Sequence, residues 1–225
     1  MCFSATASFT AAAVLGAVGA ATLAQKPKPR DMAFAAIPLI FAAHQTIEGA
    51  IWLHLNQGDA VPNALVVAFL LIAQVLWPVY IPASVIAMEK DRKRPGLWVL
   101  LAAGVLVSGT LAYILIFHHY TVSAVADGLR YATDHEFERR LLALYLLATV
   151  APLFLSRHFY VVMFGAATLL GAVVTVLAYF YAAASVWCFF SAVASVIVFL
   201  HVRRSNRAAP DEKNVGETSM NIDAA

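Results

Sequence analysis

The sequence predicts an all-α fold: a polytopic helical membrane bundle of seven transmembrane helices, N-terminus outside and C-terminus cytoplasmic. Three observations predict it. Hydrophobic residues make up 62% of the 225 and charged residues only 12%, more apolar surface than a soluble domain of this length needs. The apolar residues fall into runs long enough to cross a hydrocarbon core roughly 30 Å thick. Finally, 12 of the 15 Lys and Arg residues lie in alternate connections and only Arg130, Arg139 and Arg140 in the others. Lys and Arg concentrate on the cytoplasmic side, and six or eight spans would scatter them over both. The bilayer is therefore the expected partner. No nucleic-acid motif is present, and topology already explains the basic residues.

The first apolar run reaches residue 24 and is stopped by Lys26-Pro27-Lys28-Pro29-Arg30. It lacks the basic start of a signal peptide. Its small residues Ser4, Ser8, Ala12, Gly16, Ala20 and Ala24 form an i, i+4 stripe suited to close helix packing in lipid. The second span covers residues 32–55, bent early by Pro38, and Asn56-Gln57-Gly58-Asp59 reads as a turn. The third covers 62–88. Its Pro78 and Pro82 free backbone carbonyls that either a water-lined cavity or kinked packing must satisfy.

After the charged loop 89–95 the fourth span covers 96–117. The longest connection, 120–140, is expected to hold a short surface helix. The fifth span, 141–155, is short. From Phe159 to Val202 no charge interrupts the chain except His201. One helix of that length would measure about 65 Å, twice the bilayer core, so it must reverse, near residues 181–185. The sixth span is then 159–181 and the seventh 186–200. The membrane domain is expected to be 1–204, followed by a disordered cytoplasmic tail, 205–225.

The candidate site lies in the second span, in His44-Gln45-Thr46-Ile47-Glu48-Gly49-Ala50-Ile51-Trp52. On a helix, His44, Glu48 and Trp52 share one face. With about 1.5 Å of rise per residue, His44 sits near mid-membrane, and Gln74 of the third span falls near the same depth. An acidic residue there costs on the order of 2.5–3.5 kcal/mol on insertion scales. Two readings stand: a structural His44–Glu48 hydrogen bond, or a functional site facing the bundle interior, a ligand or proton site of His44, Glu48, Gln74 and Trp52 or a metal site that includes His44 and Glu48.

The two cysteines, Cys2 and Cys188, are too few for a disulfide scaffold. Both fall near the outer leaflet, in segments that resemble each other, Cys2-Phe3-Ser4-Ala5 and Cys188-Phe189-Phe190-Ser191-Ala192. Unlinked packing thiols, a disulfide, and ligation by Cys2, through its thiol and a free amine, all remain open. A metal shell would draw on Cys2, His44, Glu48 and Cys188, a donor set suited to zinc or copper.

The opening Met1-Cys2-Phe3-Ser4-Ala5-Thr6-Ala7-Ser8-Phe9, with His44-Gln45, Ile47-Glu48-Gly49 and Trp187-Cys188-Phe189-Phe190-Ser191, resembles a family of uncharacterised bacterial seven-helix integral membrane proteins. The resemblance covers nearly the whole spanning region. It implies the architecture and a bacterial inner membrane location, and supplies no activity.

Known seven-helix chemistries fit poorly. Every lysine lies in a loop or the tail, so no retinal Schiff base forms in the last span. Only His44 is deep, too few for bis-histidine haem. The paired-histidine motifs of seven-helix zinc amidases are missing, and no inverted repeat is visible. The leading expectation is a bundle binding a metal or small ligand near the outer leaflet. Its rivals are a membrane-embedded enzyme acting on an apolar or lipid substrate, a proton-coupled carrier using Glu48 and His44, and a scaffold without chemistry.

Overall fold

The computed structural model describes residues 4–89, 94–125, 128–133, 139–178 and 182–207. Within them the chain is an all-α polytopic bundle with one small β-hairpin. The helices are α1 (Ala5–Ala24), α2 (Met32–Ala35), α3 (Ile37–Gln57), α4 (Asn63–Leu70), α5 (Trp77–Met88), α6 (Pro95–Phe117), α7 (Arg139–Phe154), α8 (Phe159–Ala178), α9 (Ala183–Ala194) and α10 (Val196–Arg207). Six rods, some built from two of these pieces, are long and apolar enough to cross a membrane, and α7 is a shorter apolar helix. Their outward faces carry large apolar side chains such as Val99, Leu106, Ile116, Leu170 and Leu177, as lipid contact requires.

The spans begin and end close to where the apolar runs predict. Ser4 caps α1, its hydroxyl accepting from the Ala7 N–H at 3.2 Å, and Gly58 ends α3 in the left-handed region at φ 73°. There the Asp59 N–H reaches the His54 carbonyl at 3.0 Å, a common way to close a helix C-terminus. α8 and α9 form an antiparallel pair, Gly171 facing Phe190, with part of the reversal, residues 179–181, outside the described set. α10 runs on to Arg207. Most of the tail expected to be disordered lies outside the described residues.

Two local expectations are corrected. The connection after α6 holds no helix among its described residues. It folds as an antiparallel hairpin, β1 (Tyr120–Val125) paired with β2 (Gly128–Thr133), Tyr120 opposite Thr133. Thr121-Val122-Ser123-Ala124-Val125 carries the β-branched residues that favour a strand. The packing face of α1 is also not the i, i+4 stripe. Its buried residues are Ala5, Ser8, Leu15, Gly19 and Thr22. A strict four-residue step drifts by roughly 40° per step around a helix of 3.6 residues per turn, so the stripe leaves the α3 interface.

The third rod answers the question of its prolines. Between α4 and α5, Leu71–Leu76 is π-helical, where hydrogen bonds run from residue i+5 to i. Pro78 therefore leaves the Ala73 carbonyl without its donor. The Tyr145 hydroxyl of α7 donates to that carbonyl at 2.6 Å, and the Ser108 hydroxyl of α6 donates to the Val75 carbonyl at 2.6 Å. Pro82 frees the Pro78 carbonyl in the same manner. Gly104 of α6 packs its backbone against it so closely that a Cβ there would lie 1.8 Å from the oxygen. Packing against α6 and α7 covers these carbonyls.

One end of the bundle is tied by polar clasps. Glu89 Oε1 accepts from the Ser156 hydroxyl at 3.1 Å and the Arg157 N–H at 2.9 Å, while Arg94 lies 3.6 Å from Oε2 and donates to the Leu155 carbonyl. Ser205 donates to Asp31 at 2.9 Å, Lys28 to the Ser205 carbonyl at 3.0 Å, and Asn206 to the Gln25 carbonyl at 2.5 Å. Arg204 lies over Tyr160. The predicted basic connections thus share one end, and the hairpin lies at the other.

Gly104→Ala should cost about 3 kcal/mol or more, because backbone cannot yield as a flexible side chain does. Gly109→Ala, with nothing within 4 Å of the added methyl, should be neutral to slightly stabilising. Thermal unfolding of the two variants in detergent compares them directly. Tyr145→Phe, which strands the Ala73 carbonyl, should cost about 1–3 kcal/mol in the same assay.

Candidate functional site

α3 carries the polar site because its inner face is polar within one turn. His44, Gln45 and Glu48 are each fully buried. Gly49, on the same helix, is pressed by the Phe9 ring of α1, so a Cβ there would lie 2.8 Å from ring carbons. Ser8, the neighbour of Phe9, is itself fully buried.

Glu48 joins two helices. Its Oε2 accepts from the Gln45 amide Nε2 at 3.0 Å, and its Oε1 accepts from the Ser185 hydroxyl of α9. Cys188, one turn beyond Ser185 and 4% exposed, lies close enough to Glu48 to interact with it electrostatically.

His44 has a different partner. Its Nε2 is 3.2 Å from the Phe69 carbonyl of α4. A carbonyl only accepts, so Nε2 carries the proton and Nδ1 presents a lone pair. The expected His44–Glu48 hydrogen bond is replaced by these separate bonds, although both groups stay on one helix face. The His44 ring also stacks on Phe69, centroids 4.1 Å apart, and Phe69 stacks on Tyr131 of β2 at 4.5 Å. Three rings thus link the hairpin to the buried histidine.

Several buried polar atoms have no partner. They include Ser8 Oγ, His44 Nδ1, Gln45 Oε1 and Gln74 Oε1. In an apolar interior each such atom costs about 1–3 kcal/mol. Gln74 is half-buried in the π-helical stretch, and Trp52 packs in the apolar cluster around Ile51, Phe69 and Leu70. Cys2 lies outside the described residues. Among the described residues, no group of three or more His, Cys, Asp or Glu side chains is placed to hold a metal ion.

Cys188 also borders a pocket of about 20 Å³ between helices, about the size of one water molecule. Its walls come from α3, α5, α7, α8 and α9, among them Phe41, Trp77, Tyr145, Thr149 and Thr168.

The structure buries His44, Glu48 and Cys188 but pairs Glu48 with Gln45 and Ser185 in place of His44. Gln45, three residues before Glu48, has helical spacing that signals the pair. Ser185 sits in the run Ala182-Ala183-Ala184-Ser185, where nothing distinguishes it from packing residues.

Fold and site together define a polytopic helical membrane protein with a hydrogen-bonded carboxyl group buried between its second and last spans. The chain belongs to DUF6629, a family of unknown function whose model matches residues 1–213. No curated protein and no solved structure matches it.

Ser185→Ala should destabilise the bundle by about 1.5–3 kcal/mol, since the lost bond is to an ionisable group in a dry site. Ser191→Ala, on the same helix and with no hydrogen bond to Glu48, should cost less. Paired unfolding curves of the two variants check the difference.

Proposed function

We propose that the protein is a multi-pass membrane bundle that binds a small hydrogen-bonding ligand at the buried polar site of α3, with Glu48 as anchor. The observation that carries this reading is a buried carboxyl group held by Gln45 and Ser185 on the same turn of α3 as the unpartnered atoms His44 Nδ1 and Gln45 Oε1. A ligand that pairs with them recovers the free energy each atom forfeits in a low-dielectric site. A zinc or copper ion is the alternative occupant, held by coordination rather than by hydrogen bonds. It would draw on His44 Nδ1, Glu48, Cys188 and Cys2, and requires Cys2 to complete a shell of soft and borderline donors.

A second reading rests on the tightness of the same site. His44, Gln45 and Glu48 have no exposure, and a proton is the one ligand that needs no volume. Glu48 and His44 then form a proton-exchange site of a coupled carrier. The positive-inside rule supports a cytoplasmic basic end and an outer hairpin end, and the resemblance noted in the sequence supports a bacterial inner membrane.

Elemental analysis and mass spectrometry of small molecules released from purified protein test the first reading. About one ligand per chain is expected, lost in Glu48→Gln. Wild type carrying neither metal nor small molecule overturns it. The proton reading predicts a pH-dependent carboxyl band in the infrared spectrum that Glu48→Gln removes, and proton flux in liposomes. Flux indifferent to Glu48→Gln rejects it.

A further inference from the structure

We propose that the hairpin β1–β2 is the gate of the Glu48 site, so that its ligand is a water-soluble solute arriving from the hairpin's face of the membrane. This rests on the binding reading above and names the route and the ligand class.

The hairpin touches the site at three points. Gly128 sits against Ser185, the donor to Glu48: a Cβ on Gly128 would lie 3.3 Å from the Ser185 hydroxyl oxygen and 3.4 Å from Ala182. Its φ of 148° is itself a glycine conformation. Leu129 is fully buried, in the same apolar cluster as Cys188 and Phe69. Tyr131 lies on Phe69, which lies on His44. One strand therefore contacts the donor Ser185 directly, reaches the imidazole through the Phe69 ring, and buries a leucine in the cluster that holds the thiol.

The hairpin is also the cover that moves at least cost. Only Gly128 and Leu129 among its described residues are buried, and an isolated two-stranded hairpin is marginally stable by itself. Such elements occupy the low end of the local-opening scale. A route from the lipid would instead have to part spanning helices, whose contacts include the Glu48–Ser185 bond and the Gly49–Phe9 packing. Lifting the hairpin breaks no helix. It unstacks Tyr131, withdraws Leu129 and uncovers Ser185 toward water, and so admits solutes from the aqueous phase rather than from the acyl chains.

Cys188 supplies the reporter. With Cys2→Ser it is the sole thiol of the chain. In proteoliposomes of the full chain, labelling by a charged, membrane-impermeant maleimide is compared with labelling by an apolar one. Leu129→Ala and Tyr131→Leu should speed the charged reagent by about tenfold or more, because they loosen the cover. Leu97→Ala, an equally buried leucine at the opposite end, should leave that rate unchanged. No acceleration in either hairpin variant, or equal acceleration in Leu97→Ala, overturns the gate. So does an apolar reagent that labels wild type rapidly while the charged one fails in every variant, which means entry from lipid.

Hydrogen exchange on the wild-type chain needs no variant to fold. The amides of β1 and β2 should exchange at least about tenfold faster than those of the middle of α3; equal protection overturns the proposal. A chain that carries no ligand would remove the binding reading and leave the labelling result standing. Unchanged labelling removes the gate whether or not a ligand is found.

Discussion

The burial of one carboxyl group is the constraint on which the rest of the structure depends. Glu48 has no contact with water, so the protein must supply its polar partners. It takes one from its own helix, Gln45, and one from the far end of the chain, Ser185. Because Glu48 and Ser185 are 137 positions apart, satisfying the acid forces the second and last spans together. Water cannot drive apolar helices together inside a membrane, since lipid tails are as apolar as the side chains. Directed bonds of this kind, with close approaches such as Gly49 on Phe9, take over the role the hydrophobic effect has in soluble proteins.

The same logic organises the two ends. At the basic end, Glu89 and Asp31 are nearly inaccessible and gather donors from connections far apart in sequence. At the other, a hairpin lies across the helix ends, its interior residues shared with the cluster beneath it. The bundle is fastened by hydrogen bonds at the base, by a buried acid within, and by packed rings and a leucine under the hairpin.

The spans were legible because their signal is long: an apolar run of twenty residues outweighs any local ambiguity. Glu48 was legible because a charge in such a run stands out. Its partners were not. Gln45 and His44 compete for the same carboxyl at helical spacing, and nothing in the sequence says that the Phe69 carbonyl will claim His44. Phe69 lies just before the π-helical stretch, a change in winding that spacing arguments on an ideal helix do not register. The hairpin was missed for the opposite reason. Its six-residue strands are short beside the helices, and their buried positions, Gly128 and Leu129, break the alternation that marks a half-buried strand.

The third span carries a consequence for how the protein is made. Its Ala73, Val75 and Pro78 carbonyls are covered by Tyr145, Ser108 and Gly104, all of which lie later in the chain. When this span first enters the bilayer, α6 and α7 are not yet packed beside it. It therefore enters the bilayer with exposed backbone dipoles and stays incompletely satisfied until α6 and α7 follow. Biogenesis must hold the early spans near the insertion site until the later ones arrive. A chain interrupted between α5 and α7 is marked as unfinished by its own backbone, a state that chaperones and membrane proteases can recognise.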